Sequence, residues 1–389
     1  MRSAAERVGR FTESVIREMT RLADDHGAIN LAQGFPDFDP PLEVLEAAKR
    51  AIDEGYNQYP VTWGSPRLRE ALAAKYRRFG WPELDPESEM VVTCGSTEAM
   101  VASFLALVDP GEEVLLLEPY YENYGPDAFL SGALPRFVPL GPDWTLDPER
   151  LEAAIGPRTR AIVITTPHNP TGRVFTVEEL GAIAELAIIH DLLVFTDEIY
   201  EHIVYDGREH LSIALLPGMR ERTVTISALS KTYSVTGWRV GWAISSQDLI
   251  DPLRKVHDFL TVAAPAPLQE AGATAVALPD EYYSELLKAY EERREVFFDL
   301  VDGNGFDLVK PEGAYYAMAH VGPLRERMGI TDDTTFCREL VLRAGVAAVP
   351  GSSFFADPAG GSDLIRFAFP KRLDTLQEAG ARLAQFGVG

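Results

Sequence analysis

A lysine amine is a poor nucleophile while charged, so one placed just beyond an apolar run, where burial can lower its pKa, is a candidate for covalent chemistry. Lys231 is such a residue. It stands in Ser230-Lys231-Thr232-Tyr233, after the run Thr223–Ser227, in a chain with only seven lysines. Arg239 follows, and a guanidinium there can fork onto phosphate oxygens; a solvated Lys and Arg would fit the same segment. Four other apolar runs end in comparable groups. Met90–Cys94 leads into Gly95-Ser96-Thr97, whose free N–H groups and hydroxyls at a helix start suit a phosphate or serve as an ordinary N-cap. Val114–Leu117 leads into Glu118-Pro-Tyr-Tyr-Glu-Asn-Tyr124, with Tyr121 able to stack on a planar ring or to pack in a core. Ala161–Thr165 leads into Thr166-Pro-His-Asn-Pro-Thr-Gly172, a stiff turn from which the Asn169 amide can project. Leu192–Thr196 leads into Asp197-Glu-Ile-Tyr200. A carboxylate ending so apolar a segment needs a partner, either a cationic ring nitrogen or a structural arginine.

The elements that position these groups are a β-α-β-α succession. The runs above, with Val240–Ser245, read as strands covered on both faces, and patterns such as Thr97–Val108 and Val177–His190 read as the helices between them. The rhythm predicts an α/β domain with a mostly parallel central sheet, and ligands bind such sheets at the carboxyl ends of the strands. Long helices are expected over Leu249–Phe259 and Glu281–Leu300. From Phe306 the pattern changes to short strands, Ala314–Ala319 and Leu364–Ala368, around a helix near Thr334–Ala344, which suits a smaller α+β domain.

Composition narrows the partners. The 389 residues carry a formal net charge of −23 and a sequence pI of about 4.7, which opposes binding to a nucleic-acid backbone or an anionic membrane. Cys94 and Cys337 are too few for a disulfide framework and read as two buried thiols. The histidines lack metal-ligand spacing, so no metal is expected. Residues 1–19 lack the apolar core of a signal peptide and no run has membrane-spanning length, so a cytoplasmic enzyme is expected. His168 reads as a turn residue and Glu291–Glu295 as a solvated helix face.

Taken together, the strand ends offer a phosphate cradle, an aromatic plate, an amide, a carboxylate, an amine and a guanidinium. A phosphorylated, hydroxylated pyridine aldehyde, pyridoxal 5′-phosphate (PLP), needs that set. Ser230-Lys231 through Gly241, with Asn169-Pro-Thr-Gly172 and Asp197-Glu-Ile-Tyr200, resembles the PLP-dependent fold-type I aminotransferases of class I/II. Asn30-Leu-Ala-Gln-Gly-Phe-Pro-Asp-Phe38 and Tyr56-Asn-Gln-Tyr59 further resemble the kynurenine/glutamine/methionine aminotransferase branch.

The resemblance implies a large PLP-binding domain over residues 46–285, with residues 286–389 and an N-terminal arm and segment, residues 1–45, making the smaller α+β domain. It implies that Lys231 forms the internal aldimine and shuttles the proton, that Asp197 keeps the pyridine nitrogen protonated, and that Asn169 and Tyr200 bond the ring 3-oxygen. Tyr121 would stack on the ring. Ser96, Thr97, Ser230 and Arg239 would bind phosphate, joined by Tyr59 from a second subunit of a homodimer. Arg366 would clamp the substrate α-carboxylate, aided by the Gly34 backbone and Asn169. One position departs from many relatives: Ala228 stands where they carry a phosphate-binding serine, and Ser230 is expected to compensate. The activity implied is ping-pong transfer of an amino group from an L-amino acid to a 2-oxo acid. Trp63, Tyr59, Tyr121 and Tyr124 suggest a pocket for neutral or aromatic side chains, and no second arginine stands out for a dicarboxylate. The same scaffold also admits a β-lyase, racemase or oxidase outcome. A non-catalytic PLP-sensing regulator is disfavoured by the acidity of the chain and the absence of room for a DNA-binding domain.

Overall fold

A computed structural model describes residues 5–388, so the first four residues of the expected N-terminal arm lie outside it. The five central apolar runs fold as strands because their side chains are buried along the whole length or nearly so. They belong to a seven-stranded sheet. Its spatial order is Met90–Thr93, Gly241–Ile244, Thr223–Ala228, Leu193–Asp197, Thr159–Thr165, Glu113–Glu118 and Leu134–Pro139. All neighbours pair parallel except Gly241–Ile244, which is antiparallel to both of its partners. The Leu134–Pro139 strand has no counterpart in the sequence reading. It is an edge strand with a proline near each end, where a missing N–H costs no central ladder bond.

Helices cover the sheet on both faces. Val177–Ile189 begins with a capping box in which the Thr176 hydroxyl accepts from Glu179 N and the Glu179 carboxylate accepts from Thr176 N. The other expected helices occur as Ser96–Leu107, Gln247–Leu260 and Asp280–Val301. A second, four-stranded antiparallel sheet holds Tyr316–His320 between Asp307–Val309 and Leu364–Ala368, with Val349–Pro350 on the far edge. The chain ends meet here. Ile29–Asn30 pairs parallel with Val346–Ala347, and Ile16, Met19 and Ala23 pack in one apolar cluster with Leu340, Val341 and Leu376.

Two local readings need correction. Glu291–Glu295 is not a solvated face throughout: the Arg294 side chain is buried and its two terminal nitrogens donate to the Asp206 carboxylate at 2.8 and 2.6 Å. Of the two cysteines, both unpaired, Cys337 is buried while Cys94 is only partly covered.

Under the sheet lies a buried ion pair, Lys75 with Glu201 at 2.5 Å. Burial alone would raise the Glu201 carboxyl, but Lys75 and His202 hold it at about 2. Removing the lysine strands a buried charge. Lys75→Met should therefore lose about 3–5 kcal/mol at neutral pH in denaturant unfolding. A carboxyl held low stabilises the fold above its unfolded pKa and loses that contribution on acidification. The gap between the two proteins should accordingly narrow as pH falls below the usual carboxylate range.

Candidate active site

The strand-end groups converge on one cleft of about 430 Å³. Its lining includes Gly34, Ser96, Thr97, Tyr121, Asn169, Asp197, Tyr200, Ser230, Lys231, Arg239 and Arg366, so eleven of the twelve expected site residues share it. Tyr59 is the exception. It is 85% exposed and lies outside the cleft lining.

At one end, the Gly95-Ser96 segment and the Arg239–Gly241 segment press together. A Cβ on Gly95 would sit 2.3 Å from Arg239 Nη2, and one on Gly241 would sit 2.6 Å from Ser96 N. The Gly241 contact is with main chain and admits no Cβ, while Gly95 meets the movable Arg239 guanidinium and favours glycine through its φ of 82°. Arg239 is itself left-handed at φ 55° and donates to Cys94 O and Thr97 Oγ1, both at 3.5 Å. No side chain caps the helix Ser96–Leu107, which leaves first-turn N–H groups for an anion. Ser230 lines this cleft. Ser227 does not, because its hydroxyl donates to Glu201 at 3.3 Å. Behind the helix start, the His257 imidazole sits between Glu98 Oε1 at 2.7 Å and Thr62 O at 2.9 Å.

Deeper in the cleft, Asp197 Oδ2 accepts from the Tyr124 hydroxyl at 2.9 Å and Oδ1 from Ile199 N at 3.3 Å. Burial pushes this carboxyl up to about 6, against those hydrogen bonds and the attraction of Lys231. Burial likewise lowers the Lys231 ammonium, partly offset by Tyr316 and Asp197. Lys231 Nζ donates to Gly34 O at 3.1 Å, the same carbonyl that accepts from Tyr315 OH at 2.9 Å. The Tyr200 hydroxyl lies 2.9 Å from that of Tyr316, and burial holds the Tyr200 phenol well above its ordinary value.

Arg366 is fully buried. It donates to Asn169 Oδ1 at 2.7 Å and to Ala32 O at 3.0 Å, its guanidinium lies 4.2 Å from the Tyr316 ring centroid, and its Nε has no partner. Among the described residues no carboxylate pairs with it. A buried guanidinium with an orphaned donor is a built receptor for an anion.

Tyr124 and Tyr316 take part in ways the sequence did not announce. Tyr124 had been read as pocket wall, but its hydroxyl is committed to Asp197 and Thr165. Tyr316 lay in an anticipated strand with nothing to mark its hydroxyl. Trp63 leaves the proposed aromatic wall altogether: it packs against the Arg69 and Arg254 guanidinium groups, 6.0 and 5.3 Å from its ring. His168 is a buried structural residue, bonded to Thr171 at 2.8 Å, with an imidazole that burial holds down at about 3.

Pyridoxal phosphate fits this donor set. The glycine-shaped cradle with Arg239 suits its phosphate, the buried acid Asp197 suits a ring cation, and Lys231 suits its aldehyde. Residues 26–382 match the model of the family described as aminotransferase class I and II. The chain is 44% identical over 386 residues to the probable N-succinyldiaminopimelate aminotransferase DapC of Mycobacterium tuberculosis, covering 96% of each chain. It is 36% identical to kynurenine–oxoglutarate transaminase 3 of Mus musculus, covering 96% of this chain and 88% of the relative. Among solved structures, the N-succinyldiaminopimelate aminotransferase from Mycobacterium tuberculosis superposes with a TM-score of 0.94 at 43% identity, over 99% of this chain and 100% of the other. The structure of YbdL from Escherichia coli, reported to have a methionine aminotransferase function, superposes with a TM-score of 0.93 at 34% identity, over 99% of this chain and 100% of the other. The chain belongs to the class I and II aminotransferases, PLP-dependent enzymes that move amino groups between amino acids and 2-oxo acids.

Proposed function

We propose that the twelve residues named from the sequence divide the work of amino transfer as follows. Ser96, Thr97, Ser230 and Arg239 hold the cofactor phosphate. Asp197, supported by Tyr124, holds a proton on the ring nitrogen. Asn169 and Tyr200 donate to the ring oxygen, and Tyr121 covers one ring face. Pyridoxal phosphate, when bound, supplies the electron sink that allows a Cα–H bond to break. Arg366 binds the α-carboxylate of the substrate, with Asn169 and Gly34 beside it, and so fixes which Cα substituent faces Lys231. Lys231 takes the proton from Cα and returns it to the carbon on the far side of the substrate nitrogen; its burial favours the neutral amine that this requires.

The observation that carries this reading is the shared cleft of Lys231, Asp197 and Arg366. It places a burial-weakened ammonium, a buried acid and an unpaired guanidinium within one small volume. We further propose a cytoplasmic homodimer in which Tyr59 completes the partner's phosphate site. The exposed aromatic side chains of Tyr59 and Phe259, 85% and 92% accessible, support an interface, and two unpaired cysteines suit a reducing compartment. The chain divides on this reading into residues 46–285 around the cofactor and a smaller unit from residues 1–45 and 286–389.

Borohydride reduction of the holoprotein should leave the phosphopyridoxyl group on the peptide carrying Lys231. Lys231→Ala should slow amino transfer by at least about 10²–10⁴-fold, the usual worth of a positioned proton carrier; unchanged turnover would refute the role. Arg366→Ala should raise the KM for α-amino acids by the equivalent of about 2–5 kcal/mol, and equal affinity would remove it from the carboxylate site.

Asp197 gives a pH-dependent signature. A carboxyl raised to about 6 stabilises the fold only while protonated, so its cost grows as pH rises from its unfolded value through 6. Asp197→Asn should therefore stabilise the cofactor-free protein at pH 8 by up to about 3 kcal/mol, with the gain vanishing near pH 4. The same change should weaken retention of the cofactor and depress turnover. Urea denaturation across pH, beside cofactor release, measures both.

A further inference from the structure

His257, in the last turn of the helix Gln247–Leu260, is buried behind the Gly95-Ser96 cradle without lining the cleft. Its Nδ1 lies 2.7 Å from Glu98 Oε1 and its Nε2 lies 2.9 Å from Thr62 O. A carboxylate and a backbone carbonyl only accept, and a neutral imidazole carries a single N–H. Filling both bonds requires a proton on each ring nitrogen, so the geometry calls for an imidazolium. Thr261 Oγ1, 3.3 Å from Nδ1, does not relieve that need, because it donates its own hydrogen to Glu98 Oε1 at 2.7 Å.

The surrounding charges agree with that state. Glu98 is buried in the first turn of the helix Ser96–Leu107, and its Oε2 accepts from Cys94 N at 2.5 Å. Burial would raise this carboxyl, but the hydrogen bond and charge of His257, with Thr261 and the Cys94 N–H, hold it below its ordinary value. Burial in turn opposes the imidazolium, and Glu98, the Thr62 carbonyl and Asp258 on the same helix outweigh it. A position at a helix C-terminus favours the cation further. Burial and the Glu98 charge raise the neighbouring Cys94 thiol, which keeps it uncharged. Arg254, one turn earlier on the His257 helix, is committed to the Glu87 and Met90 carbonyls. The ion pair reaches the anion site through Cys94: its N–H is held by Glu98, and its carbonyl accepts from Arg239. An ionised Glu98 there would stand as a negative charge close behind a bound phosphate unless a cation offset it.

We propose that His257 is a positioning residue for the cofactor phosphate: as an imidazolium it neutralises Glu98 behind the cradle, keeps that carboxylate on the Cys94 N–H, and pins the segment carrying Tyr59 through Thr62 O. It touches neither cofactor nor substrate and acts through Glu98. The inference rests on the reading that Ser96, Thr97 and Arg239 hold the phosphate. An acid in the first turn stabilises a helix but repels an anion bound at the same end. Pairing it with a buried cation on a neighbouring helix keeps the hydrogen bond to the cradle while removing the repulsion.

The test compares pyridoxamine 5′-phosphate with pyridoxamine, which differ only in the phosphate and neither of which is joined to Lys231. Calorimetry with the full-length protein freed of its cofactor gives the ratio of their affinities. His257→Gln should lower that ratio about tenfold or more, the loss expected when a charged hydrogen bond is removed. Adding Glu98→Gln to His257→Gln removes the stranded carboxylate and should restore most of the ratio, a coupling that two independent structural losses would not show. Without any substitution, ¹⁵N NMR of the holoprotein at neutral pH should show His257 with a proton on both ring nitrogens. A single ring proton, an unchanged ratio in His257→Gln even where both ligands bind less well, or no recovery in the double variant overturns the positioning role alone. Equal affinity of the native protein for both ligands overturns the phosphate cradle as well.

Discussion

Asp197 is an acid carried to the end of a fully buried strand, and among the described residues no cation forms an ion pair with it. Its two hydrogen bonds, from Tyr124 and Ile199, favour the ionised form but do not overcome burial, which leaves the carboxyl near 6. The same imbalance recurs beside it. Lys231 is a part-buried amine whose charge is disfavoured, and Arg366 is a buried guanidinium with an unused Nε and, among the described residues, no carboxylate partner. Each uncompensated ionisable group costs stability in a low-dielectric interior. The fold retains all three in one cleft, and on the proposed roles a bound molecule supplies what each lacks: a cation for the acid, a carbonyl for the amine and an anion for the guanidinium.

Holding such groups in place requires both sheets. Lys231 and Asp197 come from adjacent parallel strands of the large sheet, and Asn169 follows the next one along. Arg366 and Tyr316 come from neighbouring antiparallel strands of the small sheet. The 2.7 Å bond from Arg366 to Asn169 joins the two sets, so the carboxylate receptor is fixed relative to the reacting amine by a side-chain contact rather than by a single rigid element. Gly34 adds a second tie, since its carbonyl receives both Lys231 and Tyr315.

The sequence made much of this legible because the relevant signals are local. A parallel strand buried on both faces is a continuous apolar run, and the residue that ends it marks the ligand-binding edge. That rule alone found Asp197, Asn169, Lys231 and the Ser96-Thr97 cradle. What escaped it depends on packing between distant segments. Tyr316 matters because its hydroxyl reaches Tyr200, which lies 116 residues away. Arg294 follows a charged pattern like that of any exposed helix, yet Asp206 and Pro311 draw it inside. Trp63 was assigned to a pocket on residue type, and two arginines hold it elsewhere. Leu134–Pro139 lacked a strand signature because an edge position tolerates prolines and partial exposure.

The two ends of the cleft are built differently, and the difference separates what is fixed from what is open. At the Arg239 end, backbone meets backbone: a single Cβ on Gly241 would collide with the main chain of Gly95 and Ser96. Such a contact tolerates almost no change in either partner, and the cofactor's phosphate is the same for every substrate. At the other end the walls are side chains, many of them on the N-terminal segment and its helix Val15–His26, which packs on the small sheet through Ile16, Met19 and Ala23. Its opposite face can change residue by residue without disturbing that packing. On the proposed roles, a scaffold arranged this way keeps the proton chemistry of Lys231 and Asp197 constant while the side chains lining the far end vary, because Val15–His26 contributes none of the residues assigned to the cofactor.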